Sequence, residues 1–210
     1  LTMNSLILQK VSFSYAKRQI LHEASFSIQK GMCTALLGPS GTGKTTVGRI
    51  LAGYEVPDCG MVQMNEQPLP KKGYCPVQLI GQHPQLAFDE RMKMKNSLKE
   101  AGMPPENYKK LLKQIGIPSS WLDRFPIELS GGELQRLAIF RALHPNTQYL
   151  IADELSAMLD AITQAELWRF LLSMVQTREL GILMITHNYA LAEKTCQRIF
   201  QLKNKKIIPL

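Results

Sequence analysis

The chain has 210 residues, 45% of them hydrophobic, with 25 lysines and arginines against 17 acids, a formal net charge of +8 and four cysteines. That length buries one sizeable core, so one catalytic domain is expected, and apolar runs such as Tyr149 to Ala152 and Gly181 to Ile185 fall far short of the roughly 20 residues a helix needs to cross a bilayer. The positive balance admits a nucleic acid, lipid headgroups or a small anion as partner, but the basic residues are scattered, with only Lys71-Lys72 and Lys203 to Lys205 clustered, so the plain reading is a solvated basic surface.

In chain order, residues 1–8 show no charged region followed by a long apolar core, so no secretory signal is expected and the chain reads as cytosolic. Leu6 and Leu8, then Val11, Phe13 and Tyr15 after a break in phase, and later Ala24, Phe26 and Ile28, alternate as half-buried strands of an antiparallel sheet do. Lys30-Gly31 turns the chain into Met32 to Leu37, a continuous apolar run expected of a strand buried on both faces of a parallel sheet. Cys33, Cys59, Cys75 and Cys196 lie too far apart to read as paired metal ligands. A reducing cytosol argues against disulfides, and they read as filler.

Gly38-Pro39-Ser40-Gly41-Thr42-Gly43-Lys44-Thr45 fits G-x-x-x-x-G-K-[ST] and sits between that strand and a helix from Thr45 to Ala52, whose Val47, Ile50 and Leu51 share a face and which ends at Gly53. Glycines let successive N–H groups turn inward onto phosphate oxygens, and the helix N-terminus adds favourable partial charge. Residues 38–46, ending in Thr45-Thr46, are therefore expected to hold ATP, with Lys44 reaching the β and γ phosphates and Thr45 holding Mg²⁺. The loop alone does not separate kinases, GTPases, helicases and transport ATPases.

Asp58-Cys59-Gly60 reads as a turn and Val77 to Ile80 as a strand. A polar, Pro- and Lys-rich stretch follows, and from Pro105 to Trp121 apolar residues recur at helical spacing through Tyr108, Leu111, Leu112 and Ile115. The middle third, roughly 84–143, is expected to be a helical insertion. From Gly131 a helix runs to Leu143, followed by strand Tyr149 to Ala152, helix Ala161 to Val175, strand Ile182 to Ile185, helix Tyr189 to Thr195 and strand Ile199 to Leu202. Alternating strands and helices imply parallel crossovers. Asp153-Glu154 end an apolar strand, which places both carboxylates at the C-terminal edge of the sheet, where open α/β folds bind ligands. Asp153 is expected to orient Mg²⁺ through its water shell and Glu154 to polarise the attacking water.

Leu129-Ser130-Gly131-Gly132-Glu133-Leu134-Gln135-Arg136 closely resembles the signature of ABC-type ATPases, and it precedes Asp153-Glu154 at the spacing that family uses. It is a second helix N-terminus with a hydroxyl and glycine amides, hence a second phosphate-binding surface, and one compact domain cannot easily close both on one γ-phosphate. The resemblance implies head-to-tail pairing of two ATPase subunits, the signature of one covering ATP held by the other. It also implies the family's α/β fold, with a mostly parallel core sheet, an N-terminal antiparallel β subdomain and a helical insertion within a single domain over 1–210.

Further positions follow from the same resemblance. Tyr15 corresponds to the aromatic that stacks on adenine, Gln82 to the glutamine that senses Mg²⁺ and the attacking water, and His187 to the histidine that touches the γ-phosphate. Ala157-Met158-Leu159-Asp160 resembles the loop that meets the partner subunit, with Asp160 its key acid. His22, His83 and His144 carry no such match.

The stretch Val77 to Pro84, continuing to Ala87-Phe88-Asp89-Glu90-Arg91, looks like the peptide and nickel importer branch. That branch implies two transmembrane permease subunits, an extracytoplasmic substrate-binding protein, a peripheral position on the cytoplasmic face of the inner membrane, and a peptide, nickel ion or metal–chelator complex as cargo. Leu155 stands where the branch has Pro, Asn188 where it has Asp and Glu90 where it has Pro, and its C-terminal extension has no counterpart after Leu210. The resemblance leaves the pair as either a homodimer or a heterodimer, and these departures permit the chain to be the shorter member of the latter. A soluble ABC ATPase of translation or DNA repair is the alternative, although the second cassette or coiled-coil insertion typical of that group does not appear, and no nucleic-acid partner is expected.

Overall fold

The computed structural model of the chain describes residues 4–103, 105–155 and 160–210. Strands β1 (Ser5–Tyr15) and β2 (Arg18–Gln29) form an antiparallel pair, and β3 (Cys33–Leu37) leads through the glycine-rich loop into helix α1 (Lys44–Leu51). Strand β4 (Cys59–Met64) returns along the free edge of β1, and β5 (Gln67–Pro68) completes a four-stranded sheet of order β2-β1-β4-β5.

The break in phase along β1 is a bulge. Leu8 pairs with Phe26 but Val11 with Ala24, and Lys10 between them adopts φ 46°. An extra residue of this kind restores the inward alternation and twists the strand. The expected turn at Asp58-Cys59-Gly60 is instead the start of β4, which crosses that bulge. A Cβ on Gly60 would lie 2.4 Å from the Lys10 carbonyl oxygen, and the residue's φ is 84°. A glycine demanded by close backbone approach looks, from sequence, like a glycine demanded by a turn.

After β6 (Val77–Ile80) come a 3₁₀ turn at Pro84–Ala87, α2 (Met94–Glu100), α3 (Pro105–Ile115), two further 3₁₀ turns at Ser119–Asp123 and Pro126–Glu128, and α4 (Gly131–Ala142). The helix expected over 105–121 stops early because Gly116, at φ 71°, lets Ile117 donate back to the Leu112 carbonyl at 2.8 Å, and Pro118 follows. The Tyr108 side chain lies outside the described residues.

The chain then alternates through β7 (Tyr149–Asp153), α5 (Ala161–Arg178), β8 (Gly181–Thr186), α6 (Tyr189–Thr195), β9 (Arg198–Lys203) and β10 (Lys206–Pro209). The second sheet has order β10-β9-β3-β8-β7-β6, parallel throughout except for β10 against β9. Every residue of β3, β7 and β8 is buried, as expected of strands covered on both faces.

Cys33, Ala35, Ile182 and Met184 face one core that includes Leu137 and Phe140 of α4 and Leu171 of α5. Leu36, Ile151, Leu183 and Ile185 face the other, shared with α1 and the first sheet. α5 runs past the expected Val175, and its Arg178 guanidinium donates to the carbonyls of Leu143 at 3.2 Å and His144 at 2.9 Å, satisfying the chain just beyond α4. Among the described residues no helix is long and apolar enough to cross a membrane. Strands β3, β6, β7 and β8 end at one edge of the sheet, so the loops bearing Gly38 to Lys44, Gln82, Asp153-Glu154 and His187 leave from the same side.

Candidate active site

Residues 38–43 join β3 to α1, and their conformation depends on glycine. Gly43 sits at φ 107°, and a Cβ there would come within 2.4 Å of Ile20 Cγ2, so both backbone and space exclude a side chain. No side chain caps α1, which leaves the N–H groups at its tip to an external acceptor. Lys44 Nζ donates to the Gly38 carbonyl at 2.7 Å and the Pro39 carbonyl at 3.0 Å, and the Thr42 hydroxyl donates to Pro39 at 2.8 Å. Lys44 is buried, and its desolvation lowers the ammonium pKa against the opposing pull of Glu154 and Asp153.

Asp153 is 3% exposed. Burial raises its carboxyl above the ordinary value, partly offset by a hydrogen bond from Thr45. Its Oδ1 has no hydrogen-bond partner among the described residues. A buried carboxylate oxygen without a partner is costly, and a hydrated divalent cation beside it removes that cost. The pair Thr45 and Asp153 therefore fits Mg²⁺.

Glu154 takes φ 50°, an uncommon conformation for a residue with a side chain. It is held there by its N–H donating to the Ile185 carbonyl at 3.0 Å. Its Oε1 lies 3.0 Å from His187 Nδ1, with the glutamate side chain mostly covered and the histidine mostly exposed. Strained backbone that surrounding structure over-determines is a recurrent property of reactive sites. Asn188, one residue on, caps α6 by accepting from Leu191 N–H at 3.0 Å, the task an Asp performs at the same position. Leu155 is buried in the core beside α5.

The structure thus gathers Lys44, Thr45, Asp153, Glu154 and His187 at one point, with Gln82 exposed just beyond β6 on the same edge. Tyr15 stands at the end of β1, 45% exposed, its ring edge-on to Phe13 at 4.8 Å and its hydroxyl donating to Glu55 at 3.2 Å.

Ser130, Gly131 and Gly132 form no hydrogen bond to the glycine-rich loop among the described residues. Ser130 caps α4 with a reciprocal pair, its N–H donating to Glu133 Oε2 at 2.7 Å and its Oγ accepting from Glu133 N–H at 3.3 Å. Ser130 and Gly131 are exposed. Asp160 caps α5, accepting from Thr163 N–H at 3.0 Å and the Thr163 hydroxyl at 2.6 Å, bonds that hold its carboxyl below the ordinary range. Ala157, Met158 and Leu159 lie outside the described residues.

One cluster escapes the sequence. Lys17 and Arg18 of the β1–β2 turn and Lys205 of the β9–β10 turn line a cleft of ≈ 520 Å³ together with Gly41 and Thr42 of the phosphate loop. Strand β2 is tied to the β9–β10 turn by His22 N–H donating to the Lys205 carbonyl at 2.9 Å. The scattered basic residues are therefore gathered in part around the loop. No local signal announces it, because Lys205 and its hydrogen-bond partner Gln19 are 186 positions apart.

A family profile described as ABC transporter matches residues 21–157. The metal-staphylopine import system ATP-binding protein CntF of Staphylococcus aureus (strain NCTC 8325 / PS 47) is 32% identical over 206 residues, covering 93% of this chain and 83% of that protein. The nickel import ATP-binding protein NikE of Escherichia coli (strain K12) is 33% identical over 205 residues, covering 90% of this chain and 76% of its own. Among solved structures, a bacterial ABC transporter cassette crystallised as a dimer superposes with a TM-score of 0.83 at 22% identity over 96% of both chains. CbiO1 from Clostridium perfringens gives 0.80 at 23% identity over 97% of this chain and 86% of that one.

Proposed function

From the premise that the chain belongs to the ABC transporter ATP-binding family, we propose that it is the ATP-hydrolysing subunit of an importer whose membrane passage is made by separate permease subunits. The observation that carries the catalytic part is the convergence of Lys44, Thr45, Asp153, Glu154 and His187 on one sheet edge, with the buried Asp153 Oδ1 left without a partner among the described residues.

The phosphate loop and the tip of α1 bind the triphosphate through backbone N–H groups, and residues 38–46 form its cradle. Lys44 moves its ammonium from the Gly38 and Pro39 carbonyls to the β and γ phosphates, exchanging two neutral acceptors for anionic ones. Thr45, Asp153 and Gln82 would hold Mg²⁺, which would neutralise phosphate charge. Glu154 polarises the attacking water, and His187, held by Glu154, donates toward the γ-phosphate. Tyr15 offers its exposed face to the base.

The Ser130-Gly131-Gly132 tip, exposed at Ser130 and Gly131 and with Ser130 bonded to Glu133 of its own helix, supports a head-to-tail dimer in which it covers ATP on the partner's loop. Asp160, at the start of α5, is the acid assigned to contact with the partner subunit. The helices between 84 and 143 act as the insertion that carries the tip. Likeness to CntF and NikE supports an importer of nickel or a metal–chelator complex over one of peptides, working from the cytoplasmic side of the inner membrane with an extracytoplasmic binding protein.

The test has two readouts. Purified chain should hydrolyse ATP and lose turnover in Glu154→Gln, and a tagged chain should co-purify with integral membrane proteins. Recovery of nucleic acid without membrane proteins would favour the soluble translation or repair reading.

A further inference from the structure

Two of the four cysteines are brought together by the fold. Cys33 opens β3 and Cys196 follows the last turn of α6, 163 positions later, yet their Sγ atoms lie 3.0 Å apart. Both backbones are fixed. Cys33 N–H donates to Gln197 Oε1 at 2.8 Å, Gln197 N–H returns to the Cys33 carbonyl at 3.0 Å, and Cys196 N–H donates to the Ala192 carbonyl at 2.9 Å. The next residues enter the parallel β3–β9 ladder, with Thr34 opposite Arg198. Cys33 and Cys196, far apart in sequence and expected to be filler, are neighbours in the fold.

The two thiols differ in access. Cys33 is wholly buried and Cys196 half-buried, with Thr195 Oγ1 3.7 Å from the Cys196 sulfur. We infer that Cys33 and Cys196 form a modification site, a dithiol that a hydroperoxide or a small-molecule disulfide converts reversibly into an intrachain disulfide.

The half-buried Cys196 is the attacking thiol. Its hydrogen bonds from Cys33 and Thr195 favour the thiolate, while the hydrogen bond to Cys196, together with burial, holds the Cys33 thiol protonated. With a hydroperoxide, the Cys196 thiolate displaces an alcohol or water from the O–O bond and becomes a sulfenic acid. Cys33 then attacks that sulfur, the S–O bond breaks, water leaves, and the two electrons removed from the thiols end on the peroxide oxygens. With a small-molecule disulfide, Cys196 first forms a mixed disulfide and Cys33 releases the second thiol.

The covalent link joins the strand that enters the phosphate loop to the helix that follows His187. It closes a loop spanning most of the chain, so the oxidised protein gains thermal stability, and a dithiol reductant reverses the gain. The site is independent of the transport reading, since it uses no residue that touches nucleotide.

The experiment treats the purified full-length chain, reduced beforehand, with hydrogen peroxide or oxidised glutathione, then alkylates under denaturing conditions and maps the peptides. Expected are a mass loss of about 2 Da, one peptide pair joining Cys33 to Cys196, alkylation of Cys59 and Cys75 only, and a Tm raised by about 5 °C that dithiothreitol abolishes. Cys196→Ser should show neither the joined peptides nor the Tm shift. Alkylation of Cys33 after oxidation, with glutathione or sulfinic acid retained on Cys196, would overturn the assignment. So would the same Tm shift in Cys196→Ser.

Discussion

The molecule contains two helix tips of the same design and completes only one of them. At the start of α1, uncapped N–H groups meet a buried lysine, a buried aspartate with an oxygen unpartnered among the described residues, and a Glu154–His187 pair 3.0 Å apart. At the start of α4 there are glycines and a serine, but the cap is satisfied by Glu133 of the same helix and the surface is exposed. The first tip is surrounded by groups that a triphosphate would pair, whereas at the second the one outside charge acting on the Glu133 cap, among the described residues, is that of Arg124. Equal secondary structure thus gives unequal sites, and the difference lies in what the sheet edge places alongside.

The strongest test of that contrast is at the first tip. Glu154→Gln should lower turnover by about 10³-fold while ATP affinity stays within about twofold, measured by steady-state hydrolysis and by calorimetry. Equal loss of both would place Glu154 in binding. At the second tip, Ser130→Arg should leave the affinity of a single chain for ATP unchanged and reduce turnover by about 10²-fold, because only closure on a partner is blocked. If this substitution weakens nucleotide binding by the isolated chain, the two tips are not separate.

Tyr15→Ala sharpens the first tip's outer border. Loss of ring stacking should weaken ATP by about 1 kcal/mol, roughly fivefold in Kd, with turnover at saturation little changed. The smaller effects concern stability. Ser130→Ala removes a cap worth about 1 kcal/mol and should lower Tm by about 3 °C in the nucleotide-free protein.

Asp153→Asn tests the electrostatic cost of the first tip. Because burial raises the Asp153 pKa in the folded chain, the native state holds a proton that the unfolded chain releases, so nucleotide-free stability falls as pH rises from the ordinary value of 3.8 through the raised one. The variant lacks that slope. Its Tm should exceed that of the wild type near neutral pH, with the gap closing toward pH ~4, while its nucleotide turnover is lost.

The parts legible in the sequence are those set by neighbours along the chain. The apolar run Cys33–Leu37 ahead of a glycine-rich loop, the apolar strand ending in Asp153-Glu154, and the strand Gly181–Thr186 ahead of His187 each declare a buried parallel strand and the edge where its loop emerges. Asp153 ends its strand, Glu154 and His187 each stand one residue past theirs, and Lys44 and Thr45 follow the loop that leaves β3, which is why the first tip could be assembled from the sequence.

What stayed hidden depends on long-range register. Gly60 imitates a turn because the Lys10 bulge that requires it lies in another strand. α2 (Met94–Glu100) buries Met94, Ser97 and Leu98 and exposes Lys95, Asn96 and Lys99, too short and polar for periodicity to stand out. The cationic cleft and the Cys33–Cys196 pair join residues brought near only when β9 lies beside β3.

The central claim is that the two tips meet across two chains, and mixing inactive variants tests it most directly. Lys44→Ala lacks a working phosphate loop, and Ser130→Arg lacks a working second tip. In a head-to-tail pair of the two, one composite site is doubly defective and the other is intact. Equimolar mixing should restore ATP hydrolysis to about a quarter of the wild-type rate, since about half the dimers are mixed and each has one good site. Hydrolysis that stays at the level of the separate variants, under conditions where the wild-type chain turns over, would contradict the account.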